Sequence, residues 1–227
     1  TLDVIFRDGS RLHRVLEIAP RHYDVRRIDN LPPAQVTPPL EALARIKREA
    51  AEIDAAFAQR SDSVAFEMPL EWPVAGIITG VYGSRTLLNG EPRQPHLGVD
   101  INAPAGTPVK AAAAGVVSLA EPAMFFTGGT VILDHGYGLS TLYVHLQNVA
   151  VRVGDRVTQG EIIGKVGATG RATGPNLHWG LSWGEVRLDP ALAAGPMPQP
   201  GGANPAIAGA ARTIAPAVAA PSLPPPR

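Results

Sequence analysis

The chain has 227 residues, 20 basic against 20 acidic side chains and no cysteine. A disulfide framework, a thiolate nucleophile and a cysteine-ligated zinc site are therefore excluded, and any metal must rest on His, Asp or Glu. Zero formal charge argues against a dedicated nucleic-acid binder or a polybasic membrane-surface protein, and no apolar run approaches the roughly 18–20 residues of a membrane helix.

The opening TLDVIFRDGS lacks the charged-then-apolar order of a signal peptide. The runs LDVIF and RLHRVLEI flank Asp8-Gly9 and read as a hairpin. With the Pro-rich connector LPPAQVTPP they make up an N-terminal β segment over 1–37. Thr37 is a candidate helix cap and Pro38 a candidate first helical residue. After them Leu40, Leu43, Ile46, Ala50, Ile53 and Phe57 recur at helical spacing, which predicts an amphipathic helix within 38–62 whose apolar face must dock on something.

From 69 to 192 the texture changes to short β-rich runs broken by glycine. Strands are expected at Gly76–Tyr82, Val99–Asn102, Val116–Ala120, Thr130–Asp134, Ser140–Gln147, Ile162–Val166 and Leu177–Trp183. No helix of ten residues separates them, so the fold class is mainly β, an antiparallel sheet or β-sandwich. The last stretch, 196–227, is rich in Pro and Ala with only Arg212 and Arg227 charged, and is expected to be a disordered tail.

Strand alternation sorts the histidines. In the strand around His145, Leu142, Val144 and Leu146 form an aliphatic face, which puts Thr141, Tyr143 and His145 on the other; Tyr143 is then a candidate groove residue. In the last strand Leu177, Trp179, Leu181 and Trp183 take the core side, so Asn176, His178, Gly180 and Ser182 share the opposite face. His96 and Asp100, four apart, can ligate one ion only if the chain bends, because in an extended strand they stand about 13 Å apart; Pro95 and Gly98 make a bend plausible. His135 reads as structural at a turn. His13 and His22 lie on a solvated face among arginines. The loop Gly170-Arg171-Ala172-Thr173-Gly174 lacks the order of a P-loop, which excludes nucleotide binding there. Val151–Val166 is similar to the hairpin of lipoyl and biotinyl carriers, but Lys165 falls inside a strand rather than at a turn tip.

His96-x3-Asp100, Tyr143-Val144-His145-Leu146 and Leu177-His178-Trp179 occur in the order found in lysostaphin and LytM-type zinc metallopeptidases, which cut peptide bonds in peptidoglycan. The chain resembles that family over 69–192, and the segment Leu88–Pro92 with the helix before it resembles the Gram-negative, periplasmic members. The resemblance implies an antiparallel sheet with a zinc groove across it. His96, Asp100 and His178 would be the Zn2+ ligands, leaving the open position of a catalytic site. His145 would be the non-ligand histidine that bonds the reaction intermediate or shuttles its proton. The implied partner is peptidoglycan peptide, the D-alanyl to diaminopimelate bridge being the expected crosslink, and the implied location is periplasmic or exported.

One position departs from the family pattern: Asn176 stands where the family has the first histidine of His-x-His. An amide donates or accepts hydrogen bonds but does not take up and return a proton near pH 7. Two functions follow. One is an endopeptidase in which His145 handles protons and Asn176 orients water or the oxyanion. The other is a zinc-retaining binding or regulatory module that activates another cell-wall hydrolase.

Overall fold

The computed structural model describes residues 1–23, 25–29, 38–66 and 69–198. Thr37, most of the Pro-rich connector and the tail beyond 198 lie outside the described residues.

The N-terminal hairpin forms as the turn dipeptide predicts. Strands β1 (Leu2–Ile5) and β2 (Arg11–Arg14) pair antiparallel, and the Asp8 carboxylate accepts bonds from the Ser10 amide and hydroxyl, closing the turn on itself. A short strand, β3 (Val25–Ile28), has no counterpart in the expectations above and pairs parallel with β5 (Arg85–Leu88). After β4 (Ile77–Gly80), β5 turns through Asn89-Gly90, both at positive φ, into β6 (Glu91–Pro92). Two left-handed residues are what a two-residue hairpin of matching twist requires.

The helical segment starts as a single 3-10 turn at Leu40–Ala42 and continues as α1 (Leu43–Ala58). Its apolar face docks: Ala56 and Phe57, with Ile53, pack against Leu119, Met124, Ile132 and Leu142 of the sheet. A polar anchor fixes its position along the strands. The largely buried Glu49 accepts from the Phe125 amide at 2.7 Å and from Arg45 Nε at 2.6 Å. Burial works against the charge, but these two donors outweigh it and hold the carboxyl below its ordinary pKa.

The remaining strands are β7 (Val99–Asn102), β8 (Pro108–Lys110), β9 (Gly115–Met124), β10 (Gly128–Gly136), β11 (Leu139–Val149), β12 (Arg156–Val157), β13 (Ile162–Val166), β14 (Asn176–Trp183) and β15 (Val186–Leu188), followed by a short α2 (Pro190–Ala194). They form one antiparallel sheet in the order β12-β9-β10-β11-β14-β7-β4, with β13 joining β11 to β8 and β15 pairing β14. The mainly β, antiparallel expectation holds. No helix is long and apolar enough to cross a membrane among the described residues.

Both faces of this sheet are covered over much of their area, which corrects the simple in-and-out reading of alternation. The larger core takes Val99, Ile101, Val131, Leu133, Tyr143, Leu146, Leu177 and Trp179, while Ile132 and Leu142 face α1 on the other side. Tyr143 is therefore not a groove residue: it is 0% exposed. Its hydroxyl accepts from the Ala112 amide at 2.8 Å and lies 2.9 Å from Thr141 Oγ1, and burial pushes its pKa up to about 12. Leu146 joins Tyr143 on this inner side, although the two are three residues apart. The reason is a bulge in β11, where Gly129 and Val131 of β10 face Leu146 and Tyr143. Trp183, expected in the core, is 64% exposed at the end of β14, with its indole N–H on the Tyr137 carbonyl.

Candidate metal centre

Pairing of β14 with β7 sets the centre. His178 lies directly opposite Asp100, so their side chains share one face of the sheet, the face on which α1 also docks further along. Val99 and Ile101, alternating with Asp100, point into the opposite core, as do Leu177 and Trp179 on either side of His178.

His96 comes from the loop before β7, where the chain bends at Gly98. Two backbone bonds fix that loop: the Gly83 amide donates to the His96 carbonyl and the His96 amide to the Ser84 carbonyl. The bend needs a glycine, because a Cβ on Gly98 would stand 2.4 Å from the Trp179 carbonyl oxygen and 2.8 Å from the His178 ring. Gly80 makes the same allowance for Asp100, whose Oδ2 would be 2.5 Å from an added Cβ.

The result is a triangle of three potential ligand atoms. His96 Nε2 lies 3.1 Å from Asp100 Oδ1 and 2.9 Å from His178 Nδ1, and His178 Nδ1 lies 2.8 Å from Asp100 Oδ1. The other ring nitrogen of His96, Nδ1, faces the Val81 carbonyl at 3.1 Å. A carbonyl only accepts, so Nδ1 carries a proton in either charge state; Nε2 donates to Asp100 when the ring is protonated and offers its lone pair to the cluster when the ring is neutral. A backbone carbonyl orienting the distal nitrogen is what metal-ligating histidines usually show. Burial disfavours charge on Asp100, yet its bonds to His178 and His96 outweigh this and hold the carboxyl far below the usual range. The same pairing raises His96 above its ordinary value against the opposing effect of burial. A carboxylate oxygen and two imidazole nitrogens that lie within 4.8 Å of one another fit a divalent ion such as zinc by donor chemistry once the rings are deprotonated there.

His145 stands beside this cluster on the bulge of β11, with φ +66, an uncommon conformation for a residue other than glycine. The bulge places the ring near His178, Asp100 and Arg171, all of which influence its charge. Its Nδ1 lies 2.8 Å from the Thr169 carbonyl, which again fixes the tautomer and leaves Nε2 as acceptor. Burial, more than any neighbour, lowers its pKa and keeps the ring neutral near pH 7.

Asn176 opens β14 on the same strand face as His178 and is half-buried. Its Oδ1 is buried without a hydrogen-bond partner. His135 belongs elsewhere: fully buried, it contacts the Ala114 carbonyl through Nδ1 at 2.6 Å and Thr141 Oγ1 through Nε2 at 2.7 Å. His13 pairs with Asp3 across the N-terminal hairpin. Gly80 and the Val81 and Thr169 carbonyls escaped sequence reading, whereas Gly98 stands at the bend expected of it.

The model of peptidase family M23 matches residues 94–190, the span that contains His96, Asp100, His145 and His178. Peptidoglycan DD-endopeptidase ShyC of Vibrio cholerae is 40% identical over 104 residues, 46% of this chain and 24% of that protein. A crystal structure assigned to peptidase M23 from Pseudomonas aeruginosa is 43% identical, with a TM-score of 0.60, and the match covers 69% of this chain and 63% of that one. That of a zinc-containing peptidase from Vibrio cholerae is 28% identical at a TM-score of 0.53, covering 58% and 41%. The chain spans about a quarter of the length of the first curated relatives it matches. The matched span holds the whole triangle of potential ligand atoms, and on that ground the chain carries a peptidase family M23 domain over residues 94–190.

Proposed function

We propose that the chain is a zinc endopeptidase acting on the peptide crosslinks of bacterial peptidoglycan, in the periplasm or outside the cell. His96, Asp100 and His178 are the metal ligands, His145 carries protons, and Asn176 orients water or the developing oxyanion. The observation that supports this reading best is the convergence of two imidazoles and a carboxylate beside a third histidine held in one tautomer. The name of ShyC supplies the substrate class.

Zinc bound by these ligands supplies a Lewis acid and a water that ionises near pH 7. The Val81 carbonyl aims His96, and Asp100 contributes the negative charge that offsets the ion. His145, with Nδ1–H committed to Thr169, has Nε2 available to accept a proton from the attacking water and return it to the leaving amine. The unpartnered Oδ1 of Asn176 can accept a bond from that water but cannot relay its proton.

The test is metal content by mass spectrometry together with release of peptide from crosslinked muropeptide dimers across pH 6–9. Bound zinc and released peptide are expected; bound zinc without release overturns the endopeptidase reading. Asn176 favours one second reading, a zinc-retaining module that activates another cell-wall hydrolase. Asn176→His separates the two: a rise in rate of about 10²–10⁴-fold supports a slowed enzyme, and no cleavage by either protein supports the module.

A further inference from the structure

The loop between β13 and β14 carries a second charged feature beside the metal centre. Its backbone is locked to the β9–β10 turn: Arg171 N–H donates to the Phe126 carbonyl at 2.8 Å, and a Cβ on Gly170 would stand 2.5 Å from that same oxygen. The Arg171 guanidinium then lies over the Phe126 ring, 4.4 Å from its centroid. Stacking uses the face of a guanidinium and leaves the N–H donors around its edge free to bond in plane.

No carboxylate lies within 4 Å of Arg171 among the described residues. The neighbouring charge is of the same sign. Arg93, three residues before His96, stands near enough to add to the effect of burial in holding the Arg171 pKa below its ordinary value. The loop that holds Arg171 also supplies the Thr169 carbonyl to His145 and runs directly into Asn176 and His178.

We propose that Arg171 forms a subsite for a carboxylate of the peptide that occupies the metal groove. The subsite selects acidic peptides over their neutral counterparts, because a planar guanidinium fork matches a carboxylate and gains much less from a carboxamide. The identity of the peptide rests on the peptidoglycan reading; the charge preference does not.

Binding to the full chain, followed by tryptophan fluorescence, tests the subsite without relying on turnover. The probe is a crosslinked stem-peptide dimer in its free-acid form and in a form with every carboxylate converted to carboxamide, each titrated with and without zinc. The free acid should bind about tenfold more tightly or better. Arg171→Ala should abolish that difference while leaving affinity for the carboxamide form unchanged, and Arg171→Met, which keeps an apolar stem over Phe126, should behave the same. Equal binding of the two forms by the unsubstituted chain, discrimination that persists in both variants, or binding of neither form overturns the proposal. Cleavage is scored separately. A chain that discriminates in binding but never cleaves keeps the subsite and loses the endopeptidase reading, and one that cleaves and binds both forms alike does the reverse.

Discussion

The two faces of the main sheet use similar residues to opposite ends. On the inner face His135, Thr141 and Tyr143 form a closed chain of contacts from the Ala114 carbonyl to the Ala112 amide, and both ring nitrogens of His135 have protein partners. On the outer face His96, Asp100 and His178 crowd their free atoms against one another, and the Asn176 oxygen has no partner. Polar groups buried among their own kind stabilise a fold only when every donor meets an acceptor. A carboxylate oxygen and two ring nitrogens set this close are a donor set that could hold a metal ion. The difference between a structural and a functional histidine is thus a matter of what lies at its second nitrogen.

The largest effect that this contrast predicts is on the outer face. His178→Ala should reduce bound zinc from about one ion per chain to near zero, measured on gel-filtered protein, while the circular dichroism spectrum stays unchanged because Leu177 and Trp179 keep their packing. Retention of metal would show that the triangle is not the site. On the inner face Tyr143→Phe should leave metal content intact and cost about 1–3 kcal/mol in urea denaturation, since the buried Ala112 amide loses its acceptor. A cost on metal binding instead would mean that the faces are coupled.

The smallest predicted effect is a pH dependence. Burial holds the His135 pKa below the ordinary value against the opposing pull of Ala114 and Asp134. An unfolded chain binds that proton near pH 6.5 and the native one does not. The contribution of His135 to stability is therefore complete above that pH and diminishes as pH falls from there toward the lower folded value. Urea midpoints at pH 7.5 and 5.5 should show a steeper acid loss for the unsubstituted chain than for His135→Gln. Equal slopes would place the ring in contact with water.

Much of this was legible from residue order. Val99–Asn102 and Ile162–Val166 match their predicted strands to the residue, because alternating or continuous β-branched runs bounded by glycine leave few other solutions. Alternation also placed Asn176 with His178, and the bend required of His96 and Asp100 is present. It failed at Tyr143 because both faces of the sheet are covered, so the aliphatic face with Leu142 meets α1 and not the larger core, and at Leu146 because a positive φ at His145 shifts the strand's phase with no local signal to announce it. Trp183 was misplaced because its strand outlasts the core it packs on. The parallel pairing of β3 with β5 was invisible because it joins residues some sixty positions apart through a backbone ladder that places little demand on side-chain type.

The polar anchor on α1 reaches further than the helix itself. Glu49 holds the Phe125 amide, the next residue's carbonyl holds the Arg171 amide, and two residues back the Thr169 carbonyl holds the ring of His145. The helix is thus a strut at one end of a short linkage whose other end is the imidazole of His145, near His178 and Asp100. The matched family segment begins only at residue 94. A protein trimmed to that segment would lose β4, which flanks Asp100, together with the strut, and His145 would hang from a loop braced on one side only.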